Sequence, residues 1–329
     1  MKDYSLNVLE QYEIEVSGTR KVRGAILCDT NAGVLLLREA AVSDKKVPVL
    51  EALTTHLTHH GYPRVDSIFL NKEGEFITKA EDGTRYVLKR WFSGRECDVK
   101  KEQEVLESVK NLARLHKIMK MPGEEVREFA GNDLREEFLR HNRELRKVRA
   151  FIRGRTAKGD FENAVLKHFD AMYEWAGTAG ERLAESGYER LLQKSREEGA
   201  VTHGDYNYHN VLITPKGMAT TNFEHFTNDI QIEDFYYFMR KVMEKYEWNV
   251  ELARAMLRTY QDIRPLSEEE QEYMAIRLSY PEKFWKLVNS YYHSNKAWIP
   301  GKNVEKLQTA IDQTEKKKRL LKSIFSFHL

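Results

Sequence analysis

The spacing of apolar residues changes once along the chain. Through roughly the first ninety residues they fall in short β-prone runs. Residues 12–16, 25–28 and 34–37 predict strands, separated by Ser17-Gly18 and by the turn Asp29-Thr30-Asn31-Ala32-Gly33. Residues 46–60 fit a helix with Leu50, Leu53 and Leu57 on one face, ended by Gly61 and Pro63. Strands at 67–70, 75–80 and 85–91 follow, the first two joined through Asn71-Lys72-Glu73-Gly74. The last runs into Ser93-Gly94, which sets a boundary between a β-rich lobe, 1–94, and a helical lobe, 95–329.

Beyond that point the period is helical. Asp98 is placed to cap a helix in which Leu106, Val109, Leu112, Ala113 and His116 form one stripe. Residues 132–150 carry Leu134, Phe138, Leu145 and Val148 as core contacts, and 161–175, 179–194, 229–246 and 250–263 continue the series. Ser267-Glu268-Glu269-Glu270 is a capping box. Pro281 opens a helix bearing Phe284, Trp285 and Val288. One segment interrupts the helices: Val211-Leu212-Ile213 and Met218-Ala219-Thr220-Thr221 flank Pro215-Lys216-Gly217 and read as a β-hairpin.

Composition narrows the classes. A chain of 329 residues can bury two cores, and 41% hydrophobic with 32% charged residues is ordinary for a soluble protein. A net charge of +2 supplies no field for nucleic acid, so no such partner is expected. Met1-Lys2-Asp3-Tyr4 opens no apolar leader, and no apolar stretch is long enough to cross a bilayer. Cys28 and Cys97 form no C-x-x-C, as expected for synthesis in a reducing cytoplasm.

The hairpin is preceded by His203-Gly204-Asp205-Tyr206-Asn207-Tyr208-His209-Asn210. Taken alone this is a polar loop with Asp205 and Asn210 as turn residues. Placed after helices and before a hairpin, it resembles the H-G-D-x-x-x-x-N loop of the aminoglycoside phosphotransferase and choline kinase superfamily, a relative of the protein-kinase catalytic loop. That resemblance implies an α+β, two-lobed, protein-kinase-like fold with a small β-rich N-lobe and a large helical C-lobe. It implies ATP and Mg²⁺ as cofactors, Asp205 approaching the attacking hydroxyl, and Asn210 facing the metal. Three further segments resemble one branch, the CotS-type spore coat proteins: Trp91-Phe92-Ser93-Gly94-Arg95-Glu96-Cys97-Asp98, Asn111-Leu112-Ala113-Arg114-Leu115-His116, and Tyr280-Pro281-Glu282-Lys283-Phe284-Trp285-Lys286 with Tyr291-Tyr292 and Trp298. The last is the most specific and has no catalytic role to assign.

The sequence departs from the superfamily pattern at three places. Where an I-D-F-[DE] segment should offer an Asp to Mg²⁺, the chain has Thr221-Asn222-Phe223-Glu224. Asn222 keeps an oxygen and loses a charge, which disfavours a hard cation, and Glu224 is the neighbouring carboxylate. Where the third strand should carry a phosphate-holding Lys, the run ends in Arg38, with Glu51 on the next helix either its partner or part of a solvated face. No G-x-G-x-x-G joins the first strands; Gly18 and Gly24 with Arg20, Lys21 and Arg23 form a basic turn. Asp234 is expected to brace the catalytic loop. His56, His59 and His60 suit a helix terminus, Cys97 suits packing, and Lys316-Lys317-Lys318-Arg319 is either a docking tail or a packed last helix.

The resemblance favours a kinase-fold protein of the spore coat, made in the mother-cell cytoplasm and acting with other coat proteins, its ATP–Mg²⁺ site weakened or lost and no enzyme in the ordinary sense. The alternatives are an active phosphotransferase on a small-molecule hydroxyl and a nucleotide-binding scaffold without turnover.

Overall fold

The computed structural model describes residues 7–22, 24–121, 123–294 and 301–328. They divide into two compact units, Met1–Ala130 with Ser195–Asp234, and Gly131–Lys194 with Phe235–Leu329. The boundary expected at residue 94 falls inside the first unit. Arg23 and Trp298, singled out above, lie outside the described residues.

The first unit is built on an antiparallel sheet in the order β1-β2-β3-β6-β4, with β5 also on β6. Its strands are β1 (Val16–Val22), β2 (Ala25–Thr30), β3 (Gly33–Glu39), β4 (Ile68–Phe69), β5 (Thr78–Lys79) and β6 (Arg85–Arg90). Alternation sets its two faces. Ile26, Cys28, Leu35, Leu37, Tyr86 and Leu88 bury one face with Val8, Leu9 and Tyr12, while Ala25, Leu27 and Leu36 bury the other. Register follows from that pattern, with Cys28 opposite Leu35 and Leu37 opposite Leu88. Helix α1 (Val47–His59) buries Val47, Leu50, Leu53 and Leu57.

Two features of the N-terminal reading are corrected. Residues 12–16 do not form the first strand. Residues 8–11 make a short 3₁₀ turn, and Tyr12 is an interior anchor whose hydroxyl accepts from Thr78 Oγ1 at 2.8 Å. The strand begins at Val16 and is exposed along almost its whole length, so hydrophobic patterning does not report it. The basic segment read as a turn is that strand: Arg20 pairs with Leu27 and Lys21 with Ile26.

The same unit holds β7 (Arg95–Glu96), α2 (Glu102–Ile118) and α3 (Glu124–Arg127). Asp98 does not cap α2; its carboxylate accepts from Lys100 N–H, and the helix starts after Lys101. The stripe on α2 runs through Val105, Val109, Leu112, Ala113, Leu115 and His116. The expected hairpin is present as β9 (Val211–Thr214) and β10 (Gly217–Thr220), with β7 added to β9, and β8 (Val201–Thr202) pairs with β11 (Thr227–Asn228).

The second unit is helical: α4 (Leu134–Gly154), α5 (Asp160–Glu185), α6 (Tyr188–Glu197) as far as Lys194, α7 (Ile232–Met243) from Phe235 onward, α8 (Val250–Gln261), α9 (Glu268–Ser279), α10 (Glu282–His293), α11 (Gly301–Asp312) and α12 (Thr314–Phe325); the first turn of α7, with Asp234, belongs to the first unit. Helix α5 is longer than expected, because the stripe Phe169, Met172, Ala176, Ala179, Leu183 continues through Gly177 and Gly180. Ser186-Gly187 then ends it, Ser186 Oγ donating to Leu183 O at 2.8 Å. The capping box forms as expected, with Ser267 Oγ accepting from Glu270 N–H. Leu145, Val148, Ile152, Phe161, Val165 and Phe169 pack with Phe284, Val288, Leu307 and Ile311. Helix α12 buries Lys317, Leu320 and Leu321, so the basic C-terminal run belongs to a packed last helix.

Gly94 marks where β7 meets β9, since a Cβ there would lie 2.5 Å from Ile213 O. Gly94→Ala should cost about 1–3 kcal/mol of stability by overpacking, read as a lower urea midpoint at constant slope. An unchanged midpoint would show that this strand edge yields freely.

Candidate functional site

The His203–Asn210 loop leaves β8 and enters β9, and a buried carboxylate holds its first turn. Asp234, on the first turn of α7, accepts from the His203 N–H at 2.6 Å and the Gly204 N–H at 2.9 Å. Its Oδ2 also lies 3.3 Å from His116 Nε2 of α2. The bracing expected of Asp234 is therefore provided by two backbone donors and a side chain. His203 is fully buried and its tautomer follows from its neighbours. Nδ1 accepts from the Asp205 N–H at 3.2 Å, so Nε2 carries the proton and donates to Thr221 O at 3.0 Å. Gly204 has φ +78°, and a Cβ there would meet His225 O at 2.0 Å, so both conformation and space demand glycine.

From Asp205 a chain of side-chain hydrogen bonds leads back to the sheet. Asp205 Oδ1 accepts from Asn207 Nδ2 at 2.8 Å, and Oδ2 accepts from Asn210 Nδ2 at 2.9 Å. Asn210 Oδ1 accepts from Asn222 Nδ2 at 2.7 Å. Asn222 Oδ1 accepts from Arg38 Nη1 at 2.7 Å. Asn222 takes left-handed backbone angles, φ 67° and ψ 53°, which Asn tolerates better than most residues. Its N–H donates to Asp66 Oδ2 at 2.8 Å.

Beside this chain lies a buried ion cluster. Lys89 Nζ, on β6, donates to Asp66 Oδ2 at 2.9 Å and Glu224 Oε1 at 2.5 Å. Arg38 Nη1 adds a longer contact to Glu224 Oε1 at 3.7 Å. Burial alone would raise Glu224, but the charges of Lys89 and Arg38 outweigh it and bring the carboxyl to about 2. Asp66 is raised instead, because burial exceeds the pull of Lys89 and Glu224 adds like-charge repulsion. Burial opposes the Lys89 charge, yet the two carboxylates together raise it.

The residues singled out in sequence thus mostly meet: Arg38, Asp205, Asn210, Asn222 and Glu224 form one connected group. Glu51 does not join it. Its carboxylate accepts from the Ile68 N–H at 3.1 Å and lies within hydrogen-bond reach of Thr54 and Thr55, tying α1 to β4, while Arg38 turns to Asn222 and Glu224. Lys89 and Asp66 were missed. The available signal was Lys89 itself, a charge directly after the apolar run Tyr86-Val87-Leu88 and still within the strand.

The flanking motifs are structural. Asn111 Oδ1 accepts from Tyr62 OH at 2.9 Å, while its Nδ2 donates to Tyr206 OH and Thr220 Oγ1 at 3.1 and 3.0 Å. Cys97 is buried, its N–H donates to Val211 O at 2.9 Å, and burial pushes its thiol up. His56 Nε2 lies 2.8 Å from Ile118 O, and His60 Nδ1 lies 2.8 Å from His56 O, so both rings serve helix ends.

The fitness of the donor set for Mg²⁺ follows from this geometry. The two amide oxygens at the metal-facing positions, on Asn210 and Asn222, each accept a hydrogen bond from within the protein. One of those donors is a guanidinium. Glu224 Oε1 is already paired with Lys89 and Arg38, while its buried Oε2 has no hydrogen-bond partner. A hard dication favours anionic oxygens, and a guanidinium on one of its ligand oxygens opposes it. With Arg38 on the Asn222 oxygen, the residues as arranged fit the ion poorly.

The chain belongs to the family described as "Spore coat putative kinase YutH", whose model matches residues 5–324. It is similar to spore coat protein S of Bacillus subtilis (strain 168), with 27% identity over 163 residues, 49% of this chain. That stretch covers 46% of the relative, so the match spans less than half of its length. Among solved structures, an aminoglycoside phosphotransferase from Alicyclobacillus acidocaldarius subsp. acidocaldarius DSM 446 superposes with a TM-score of 0.86 at 18% identity, covering 98% of this chain and 95% of the other. The AMP-bound spectinomycin phosphotransferase APH(9)-Ia gives 0.70 at 8% identity over 95% and 96% of the two chains. The amicoumacin kinase hAmiN, in complex with AMP-PNP, Ca²⁺ and Ami, gives 0.62 at 12% identity over 94% and 92%. The fold is that of the aminoglycoside phosphotransferases, a β-rich sheet followed by a helical region, as the loop resemblance implied.

Lys89→Met removes the charge between two buried carboxylates and should cost about 3–5 kcal/mol at neutral pH. Glu224 is depressed, so its contribution is present above the ordinary carboxylate range and is lost as pH falls toward about 2. Without Lys89 both carboxyls rise, and protonation relieves them. The deficit relative to wild type, measured by urea denaturation, should therefore narrow between about pH 7 and about pH 4. A deficit independent of pH would sink this account.

Proposed function

We propose that this kinase-fold member of a spore coat family acts in coat assembly through protein–protein contacts, with an ATP–Mg²⁺ site converted into an internal lock. The observation that carries the reading is the Arg38–Asn222–Asn210–Asp205 chain. Arg38 Nη1 and Asn222 Nδ2 occupy the oxygens that would otherwise face a metal. In kinases those positions work by bringing anionic and polar oxygens to Mg²⁺ on the phosphates. Here the charge is absent from one, and each amide oxygen already accepts a hydrogen bond. A role in the coat rests on the family and on the likeness to spore coat protein S. It carries with it localisation to the spore coat, production in the mother cell and other coat proteins as partners.

A second reading has its own support. Asp205 retains its two amide partners, and the Asp234 brace beneath the loop is complete. An active transferase would use Asp205 as base toward a small-molecule hydroxyl, with Arg38 steadying phosphate and Asn210, Asn222 or Glu224 toward the metal. A nucleotide-binding scaffold would use the same groups without turnover.

Thermal unfolding with ATP separates them. A ligand at a hundredfold excess over Kd stabilises the native state by about 2.7 kcal/mol. The wild-type chain should show no Mg²⁺-dependent rise in Tm with millimolar ATP. The double variant Arg38→Lys, Asn222→Asp should acquire one. A Mg²⁺-dependent rise in the wild type would overturn the lock. In sporulating cells, a tagged Asp205→Asn protein should reach the spore surface as the wild type does; its failure to do so would argue that coat placement needs phosphotransfer.

A further inference from the structure

The most specific segment of the sequence, Tyr280-Pro281-Glu282-Lys283-Phe284-Trp285, lies in the second unit and takes no part in the site above. Its side chains converge on about two turns of α4. Tyr280 stacks on Phe138 with ring centroids 4.2 Å apart, and its hydroxyl donates to Asn142 Oδ1 at 2.8 Å. Trp285 stacks on His141 at 3.4 Å, and its indole N–H donates to Glu144 Oε2 at 2.8 Å. Between these two clamps lie Glu282, His141 and Glu137, the last two at i,i+4 on one face of α4. Each of the three offers one ligand atom within 4.8 Å of the other two.

Two of these groups are buried with one polar atom unpartnered. His141 is 1% exposed and its Nδ1 has no hydrogen-bond partner. Glu282 is 6% exposed; Lys286 Nζ meets its Oε1 at 2.9 Å, and Oε2 has none. Leaving an imidazole nitrogen and a carboxylate oxygen unpaired in the interior is costly, and such groups find a partner, a water or an ion. An aromatic ring stacked on the imidazole and a lysine on one carboxylate oxygen fix the orientation of the remaining atoms, as supporting residues do around metal ligands.

We propose that Glu137, His141 and Glu282 form a binding site for a divalent transition-metal ion of the Zn²⁺ class. One imidazole and two carboxylates suit Zn²⁺, Mn²⁺ or Fe²⁺, whereas Mg²⁺ and Ca²⁺ prefer all-oxygen sets. Zinc–ligand bonds of about 2.0–2.2 Å require the three donors to draw together slightly from their present spacing. Burial pushes His141 down to about 4, so its ring is neutral at physiological pH. Burial opposes the charge on Glu282, but Arg277, Lys286 and Arg240 bring it to about 2, so it is ionised. In the present arrangement His141 Nε2 accepts from Arg140 Nη2 at 3.3 Å, which leaves the ring proton on Nδ1. Metal at Nδ1 requires that proton to move to Nε2 and Arg140, which is exposed, to turn toward solvent. Glu137, with 23% of its side chain exposed, provides the way in. Arg277, 3.6 Å from Glu137, and Lys286 oppose an added dication and lower the affinity.

The test is Zn²⁺ titration of the chelator-treated full chain by calorimetry, with Co²⁺ absorption as a check on ligand type. One equivalent should bind with low-micromolar affinity. His141→Gln and Glu137→Gln should each weaken binding by at least about 10–100-fold, while His60→Gln, in the other histidine cluster, should leave it unchanged. Glu137 is partly exposed, so its variant decides the matter if His141→Gln fails to fold. Absence of binding by the folded wild type at high-micromolar Zn²⁺ would assign the gap to a bridging water and overturn the proposal. Binding unaffected by Glu137→Gln, or abolished by His60→Gln, would place the ion elsewhere and overturn it equally.

Discussion

The first unit depends on one buried ammonium. Lys89 sits at the centre of the sheet, 1% exposed, and holds Asp66 and Glu224 together. A charge removed from water persists only if partners replace hydration, and here they come from two separate stretches of chain. Asp66 precedes the short β4, and Glu224 follows the hairpin. The same Asp66 oxygen takes the Asn222 N–H, which fixes a left-handed residue just where the metal-binding Asp of a kinase would stand. The ion cluster therefore sets the geometry of the site as well as joining its elements.

On the proposed reading, that constraint explains how a loop resembling that of the phosphotransferases is kept while the oxygens expected to face a metal are engaged within the protein. The lower part of the loop is intact: Asp234 holds its amides, His203 bridges to Thr221, and Asn207 and Asn210 orient Asp205. Its upper part is closed by Arg38 and Asn222. An Asp at 222 would face the guanidinium as an ion pair; Asn makes a neutral bridge, accepting from Arg38 through Oδ1 and donating to Asn210 through Nδ2. Arg38 and Asn222 are thus one change in two places, and the reach of the guanidinium permits it where a lysine ammonium would present only a point charge.

The second unit is organised differently. Its aromatic residues bracket α4 from one segment, with Tyr280 on Phe138 and Trp285 on His141. Packing accounts for Phe284 and Val288, which enter the helical core. It does not account for a buried Glu facing a buried His, and that pairing sets the segment apart from an ordinary amphipathic helix.

Much of the fold was legible in the chain itself. Helical stripes, the Ser267 capping box and the hairpin around Pro215-Lys216-Gly217 follow from local spacing, because burial on one face imposes a period. The loop from His203 to Asn210 and the departures at Arg38 and Asn222 were equally readable, since each is a residue type at a fixed place in a pattern. An exposed edge strand, β1, was misplaced because it buries too little to leave a pattern. Tertiary structure alone decided the pairings. For Arg38 the sequence suggested one carboxylate, Glu51; the fold anchors Glu51 on the Ile68 N–H and turns Arg38 to Asn222 and Glu224. Lys89, Asp66 and the Glu137–His141–Glu282 group are built from residues distant in sequence or ordinary in type. Their chemistry exists only once the fold removes water and leaves them one another as partners.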